Sequence, residues 1–187
     1  MRIRLGELRK LVLEAAVQAS GLPSDVGLIF ESNKWSMQMV LVKLDVVDQI
    51  AKSGDFKNVS KAIIGGITAT KEDVWRVGSV SAEHGYGPLL YRLAMQFATA
   101  QGSSLSSHQS GITSDEATAV WERFVHEPDV RMLKHPDKMG TRSRSFQHEG
   151  NDYERLAKRY NDYHRDFEGD IERLEQFKFH AFNAIRV

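Results

Sequence analysis

The chain has 187 residues, with 25 basic and 25 acidic side chains and therefore no formal net charge. This balance gives no overall field that would favour nucleic acid or an anionic membrane. Cysteine is absent, which excludes disulfides, thiolate zinc sites and a cysteine nucleophile and is compatible with the cytoplasm. No apolar run approaches the roughly 20 residues that cross a bilayer, and the Arg-rich start lacks a hydrophobic signal core.

An amphipathic helix is predicted over residues 3–19, where apolar side chains recur at helical spacing. Ser20 and Gly21 supply a stop, and Pro23 prevents continuation. We expect this helix to pack on the domain; a membrane-surface or partner helix is the alternative.

Four strands are predicted next, over residues 26–30, 35–44, 61–69 and 74–81. A turn at residues 32–34 separates the first two, and residues 71–73 form a hairpin turn between the last two. A short helix is predicted over residues 46–52.

The fourth strand leads into the tight turn Gly85-Tyr86-Gly87, and a helix over residues 88–100 follows at once. The first N–H groups of a helix have no intrahelical partner and lie at the positive end of its dipole. Glycine allows a phosphate to approach the backbone closely, and Pro88 suits a first turn because its missing donor is not needed there. This pattern predicts a pyrophosphate site; a tight turn without a ligand is the alternative.

A short strand within residues 104–107, a helix over residues 115–125 and a strand over residues 130–133 complete the predicted domain of residues 1–135. Thr113 or Ser114 caps this helix. Residues 136–151 are polar and predict a linker or arm. We expect the basic cluster in and before it to be solvated, with contact to phosphate groups or nucleic acid as the alternative; its members are Lys134, His135, Lys138, Arg142 and Arg144. Residues 152–187 predict an amphipathic helical extension with an aromatic stripe, which Gly169 breaks or bends.

The order of these elements resembles the GNAT acetyltransferase superfamily, across roughly residues 26–134. That family has Gln/Arg-x-x-Gly-x-Gly/Ala at a splay between two central strands, and residues 82–87 match its two glycines but begin with Ala82. Val77 stands where the family has a strand Val beside the pantetheine arm. On the next helix, Ser114 and Ala117 match an Asn-x-x-Ala-x-x-x-Tyr pattern, whereas Trp121 replaces the Tyr. The sequences of both motifs are similar to those of GNAT-like proteins encoded by bacteriophages.

The resemblance implies an α+β, GNAT-like αβα fold with a mixed, mostly antiparallel sheet and a strand splay. It implies acetyl-CoA as cosubstrate and transfer of its acetyl group to an amine on a protein or small molecule. The residues that would bind the cosubstrate are Val77, Gly78, Ser79, Gly85, Tyr86, Gly87, Pro88, Ser114 and Ala117.

Two departures from the family affect the predicted chemistry. The family's Tyr protonates the departing thiolate, and Trp121 has no proton to give near neutral pH. We therefore take Tyr86 or Tyr91, or water, as the proton donor, and Glu83 as a weak base candidate. Only residues 31–34 separate the first two strands, where the family places two helices that shape the acceptor site.

These departures leave a second hypothesis open, in which a degenerate GNAT fold acts as a structural or host-interaction protein. Such a protein would associate with itself, a virion or a host partner through residues 136–187. An active enzyme would work in the cytoplasm, which is the host cytoplasm for a phage protein. The seven histidines show no metal-ligating spacing, so we expect no metal site.

Overall fold

The computed structural model describes residues 23–83, 85–107, 114–136 and 142–185, with the side chains of residues 135, 136, 142 and 143 left out. The helix expected over residues 3–19 lies outside these ranges. Within them, seven strands, five α-helices and one 3₁₀ helix form an α+β fold around one mixed sheet.

The first half of the sheet begins with a tight hairpin of β1 (Val26–Ser32) and β2 (Ser36–Lys43). Asn33 closes its turn, because its side-chain oxygen accepts the N–H groups of Trp35 and Ser36 at 2.8 and 2.9 Å. Helix α1 (Leu44–Ser53) and a 3₁₀ helix (Phe56–Lys61) follow. Both predicted strands, their turn and the short helix are confirmed.

Strands β3 (Ile63–Lys71) and β4 (Trp75–Ala82) form the next antiparallel hairpin, as predicted. Their register contains a bulge: Thr68 pairs with Ser79 and Ala69 pairs with Val77, so Gly78 is the extra residue. A bulge bends the strand and interrupts its regular pairing, often beside a functional site.

Helix α2 (Gly87–Ala100) crosses from β4 to the short strand β5 (Leu105–Ser106), which runs parallel to β4. The strand order is β1-β2-β3-β4-β5-β7-β6, and every other pair in it is antiparallel. The predicted mixed, mostly antiparallel sheet is therefore confirmed.

The second half of the chain adds helix α3 (Asp115–Phe124) and strands β6 (Val130–Pro136) and β7 (Arg142–His148). Strand β7 lies inside the polar segment that we interpreted as a linker or arm, and that interpretation is wrong for its seven residues. β7 joins the sheet because Phe146 packs in the core and the buried Ser145 accepts a hydrogen bond from Ser104 at 2.8 Å.

The chain ends in helices α4 (Asp152–Arg165) and α5 (Ile171–Ala184), separated where Gly169 predicted a break. Both pack on the sheet of their own chain. Tyr153 and Leu156 join the core beneath α2, whereas Tyr160 and Phe177 join a second core that α1 and α5 cover on the opposite face. Most of the predicted aromatic stripe is therefore buried inside the fold.

Candidate functional site

The sheet opens between its two parallel strands. β4 pairs with β5 only at Trp75 and Arg76, and β4 then continues to Ala82 with no strand beside it on that side among the described residues. The Gly78 bulge lies just past the last pair and is exposed. Backbone groups of residues 77–82 therefore lie along an open strand edge, which an extended ligand could pair with.

The glycine turn follows this open edge. Gly85 has φ of +91°, a conformation that glycine adopts without strain. The turn is anchored by Glu83, whose N–H donates to Ile64 at 2.6 Å and whose carbonyl accepts the N–H of Tyr86 at 3.1 Å. The Tyr86 amide is therefore occupied, whereas Tyr86 was predicted to bind the cosubstrate together with Gly85 and Gly87. Gly85 and Gly87 have no N–H partner in the described part of the chain.

The space above Gly87 is open. A Cβ atom built on Gly87 would have no heavy atom within 4 Å. This glycine opens α2, so its free amide lies at the positive end of the helix dipole. The turn therefore keeps the two properties that an anion site needs, which are unpartnered donors and room for the anion.

A cleft of about 500 Å³ lies in front of this turn. Of the residues predicted to form the site, seven line it: Glu83, Gly85, Gly87, Pro88, Tyr91, Ser114 and Ala117. Four others, Val77, Gly78, Ser79 and Tyr86, do not line it. The predicted set did not include Val80, Ser81, Ala82, Glu116 and Val120, which also line the cleft. Val80 and Ala82 share one face of β4, and Glu116 and Val120 lie four apart on one face of α3, so these four could have been found from the strand and helix periods once the turn is placed.

A second helix N-terminus reaches the same cleft. Ser114 caps α3 as predicted, because its hydroxyl accepts the N–H of Ala117 at 3.2 Å. Two helix dipoles thus present their positive ends to one cavity. Glu83 and Glu116 also line it, and neither lysine nor arginine does among the described residues. Anion binding here would rest on amides and dipoles.

Tyr91 is one of the residues that line the cleft. Its ring is buried and lies 4.9 Å, edge to face, from the ring of Trp121. Burial raises the pKa of Tyr91 to about 12, so the phenol keeps its proton at neutral pH. Trp121 itself stacks on Phe146 at 5.1 Å and does not line the cleft. Trp121 has no hydroxyl group, but the neighbouring Tyr91 has one.

Glu83 and Tyr86 fit the other predicted catalytic roles less well. Both carboxylate oxygens of Glu83 accept hydrogen bonds from Lys43, at 3.0 and 3.1 Å, so this side chain holds the turn to β2. Tyr86 is half-buried against the core. Burial, followed by the carboxylates of Asp25 and Glu83, raises the pKa of Tyr86.

The residues predicted to line a pantetheine arm contribute through their backbone. The Val77 side chain is buried in the core beneath α2. The Ser79 hydroxyl lies 2.9 Å from that of Thr68 and also bonds to the Ile185 carbonyl of the helix-covered opposite face. Only their main-chain groups remain for a ligand in the opening.

The described residues form neither a metal site nor a membrane-spanning helix. No cluster of three metal-ligating side chains occurs among them. None of the described helices has the length and apolar character needed to cross a membrane.

Comparison of the chain with family models, curated proteins and solved structures gives no match in any of the three.

Proposed function

We propose that the cleft binds the diphosphate of an acyl-CoA and that the protein transfers the acyl group to an amine. The open glycine turn carries this proposal: Gly85 and Gly87 line a cavity beside an open strand edge, and their amides have no partner among the described residues. The resemblance of the turn and of the α3 start to the GNAT motifs supports the same ligand.

In this proposal the diphosphate accepts hydrogen bonds from Gly85 and Gly87. The pantetheine arm runs into the opening and pairs with the free edge of β4 past the Gly78 bulge. The α3 N-terminus, capped by Ser114, adds a second positive dipole end to the same cavity.

The chemistry then follows from the groups at the cleft. The amine nitrogen bonds to the acyl carbon, the carbon–sulfur bond breaks, and the electron pair leaves on sulfur. Tyr91, with its pKa near 12, is a weaker acid than an ordinary thiol of pKa about 8.5. Tyr91 therefore donates a hydrogen bond to the thiolate, and water supplies the proton. The excess proton of the amine also passes to water, because Lys43 occupies the Glu83 carboxylate.

Ligand-induced stabilisation tests binding directly. Acetyl-CoA at about 100 times its dissociation constant should stabilise the protein by about 2.7 kcal/mol. Gly87→Ala should fold normally, because its Cβ meets open space, yet lose this stabilisation because the methyl group fills the phosphate position. Gly102→Ala is the matched control: it strains a residue with φ of +67° at the far end of α2 and should keep the ligand effect.

Catalysis needs a separate readout, which is release of free CoA in the presence of a panel of amines. A wild-type protein that millimolar acetyl-CoA does not stabilise would contradict the proposal.

A second candidate is a CoA-binding module without catalysis. Trp121 favours it, because this residue replaces the family's proton-donating Tyr and packs against Phe146 in the core. Binding without release of CoA would select it. Self-association through the C-terminal stripe has less support, because Tyr153, Tyr160 and Phe177 are buried within the chain's own fold.

A further inference from the structure

The two edges of the sheet differ in whether another element covers them. At one edge, α4 packs along β1, and Arg159 donates to the Val26 carbonyl at 2.7 Å. At the other edge, β6 has β7 as its only extensive neighbour among the described elements. Apart from a turn bond at Val130, the outward backbone groups of β6 find no partner in the described part of the chain. An unpaired edge is a template for another strand.

Basic side chains flank this free edge. Arg131 and Lys134 on β6 are exposed, and Arg144 lies across the hairpin from Lys134. Of the nine arginines whose side chains are described, seven bond to carboxylates or carbonyls: Arg76, Arg92, Arg123, Arg155, Arg159, Arg165 and Arg173. The two without such a partner among the described residues, Arg131 and Arg144, both lie on this hairpin.

We propose that the β6 edge binds an extended acidic segment of another protein, which adds to the sheet as an eighth strand. Main-chain hydrogen bonds to β6 would give affinity, and carboxylates beside Arg131 and Lys134 would give specificity. Side chains three apart lie on opposite faces of a strand, so the partner carries acidic residues on both of its faces.

A second copy of this chain fits less well. When β6 pairs antiparallel with itself about its centre, Leu133, Arg131 lies opposite His135 and Lys134 lies opposite Met132, so neither cation meets a carboxylate, and β6 itself has no acidic residue. Nucleic acid fits less well, because the described side chains of β6 and β7 expose no aromatic ring for base stacking, and Phe146 is buried.

Two designed peptides test the proposal with the full chain. The first is a short, fluorescent Thr/Val peptide with two Glu placed three positions apart. The second has the same sequence with alternate backbone amides methylated, which removes its ladder donors. We expect the first to bind, with fluorescence anisotropy as the readout, and the second to bind at least tenfold more weakly.

Protein variants test the charges. The pair Arg131→Glu and Lys134→Glu should weaken the acidic peptide roughly tenfold or more, and each tenfold corresponds to about 1.4 kcal/mol. The pair Lys57→Glu and Lys61→Glu makes the same change in net charge at exposed positions of the 3₁₀ helix and should leave binding unchanged. Melting temperatures confirm that both variants fold, and hydrogen exchange should show slower exchange of backbone amides in residues 130–135 on binding.

Three results would overturn the proposal. They are absence of peptide binding at millimolar concentration, binding that is indifferent to amide methylation, and hairpin-dependent binding of a DNA or RNA duplex that exceeds binding of the peptide.

Discussion

Helix α2 serves two different purposes at its two ends. At its start, Gly85 and Gly87 line an open cleft, and their amides have no partner within the described ranges. Further along, Arg92, Gln96 and Thr99 bond to groups on β7, on α4 and in the turn before β6. One helix thus carries a region of unused donors and a region of closely matched donors and acceptors.

Gln96 shows how closely the second region is matched. Its side-chain oxygen accepts the N–H groups of Asp152 and Tyr153, so its nitrogen must donate, to Asp152 at 3.0 Å and towards His148 Nδ1 at 3.3 Å. The Nε2 atom of His148 lies 3.0 Å from an Asp129 carboxylate oxygen and 3.1 Å from an Arg92 guanidinium nitrogen. Buried groups with full partners stabilise a fold and leave little for a ligand.

Of the substitutions in the two regions of α2, we expect one at Gln96 to lower stability most. Gln96→Leu would leave the Nδ1 atom of His148 and two N–H groups at the start of α4 without partners. Each unsatisfied buried group costs roughly 1–3 kcal/mol, so we expect a loss of about 3 kcal/mol or more in the free energy of unfolding. Urea denaturation measures it.

Gln101→Leu, at the exposed end of the same helix, is the control and should change stability by less than about 0.5 kcal/mol. Equal effects of the two substitutions would mean that the network around Gln96 does not hold α2 in place. Acetyl-CoA should still stabilise the Gln96 variant, because the cleft lies at the other end.

Tyr91→Phe should give the converse result, a large effect on activity and a small one on stability. Its hydroxyl has no partner among the described residues, so the unfolding free energy should change by about 0.5 kcal/mol or less. Loss of one hydrogen bond to the leaving thiolate should lower the transfer rate roughly 10²-fold. Single-turnover release of CoA measures this rate.

The pH profile sharpens this test. Because the pKa of Tyr91 is near 12, the wild-type rate should show no loss from ionisation of this phenol at pH 9. A rate that Tyr91→Phe leaves unchanged would remove Tyr91 from the mechanism and leave water as the only donor.

Gly85 and Gly87 should separate backbone strain from ligand contact. Gly85→Ala places a side chain at φ of +91°, which costs roughly 1–2 kcal/mol of stability without any ligand. Gly87→Ala should cost nothing, since it replaces a helical glycine in open space. Thermal unfolding of the ligand-free variants measures the difference. Equal destabilisation would mean that Gly87 also supports the fold.

Much of the cleft region could be predicted because its signals are local. Asn33, Pro88 and Ser114 each act within a few residues, as a turn, a first-turn proline and a cap. The two glycines locate the turn for the same reason. Seven of the predicted site residues therefore line one cleft.

The second region could not be predicted, because its partners are distant in sequence. Gln96 bonds to residues more than fifty positions away, and no local pattern marks it. Strand β7 was missed because Phe146 is its one large apolar core residue, and Ser145 is buried through a hydrogen bond to Ser104. The Gly78 bulge depends on the register of two strands, which neither strand specifies alone.

Asp129, at the rim of this polar region, should give the smallest effect. Partial burial opposes ionisation, but Arg92, the Asp129 backbone N–H and His148 together hold the pKa of its carboxyl below the ordinary value. A depressed pKa stabilises the fold above the unfolded value of about 3.9, and this stability is lost as pH falls through the folded value. Since the side chain is half exposed, solvent screening keeps the contribution below about 1 kcal/mol.

Asp129→Asn should therefore be slightly less stable than the wild type at pH 7, and the difference should shrink as pH falls below 4. Urea denaturation at both pH values measures this difference. A gap that stays constant down to pH 3 would mean that the ionised carboxylate contributes nothing. In that case Gln96, rather than the Asp129 carboxylate at the rim, would fix the second half of α2.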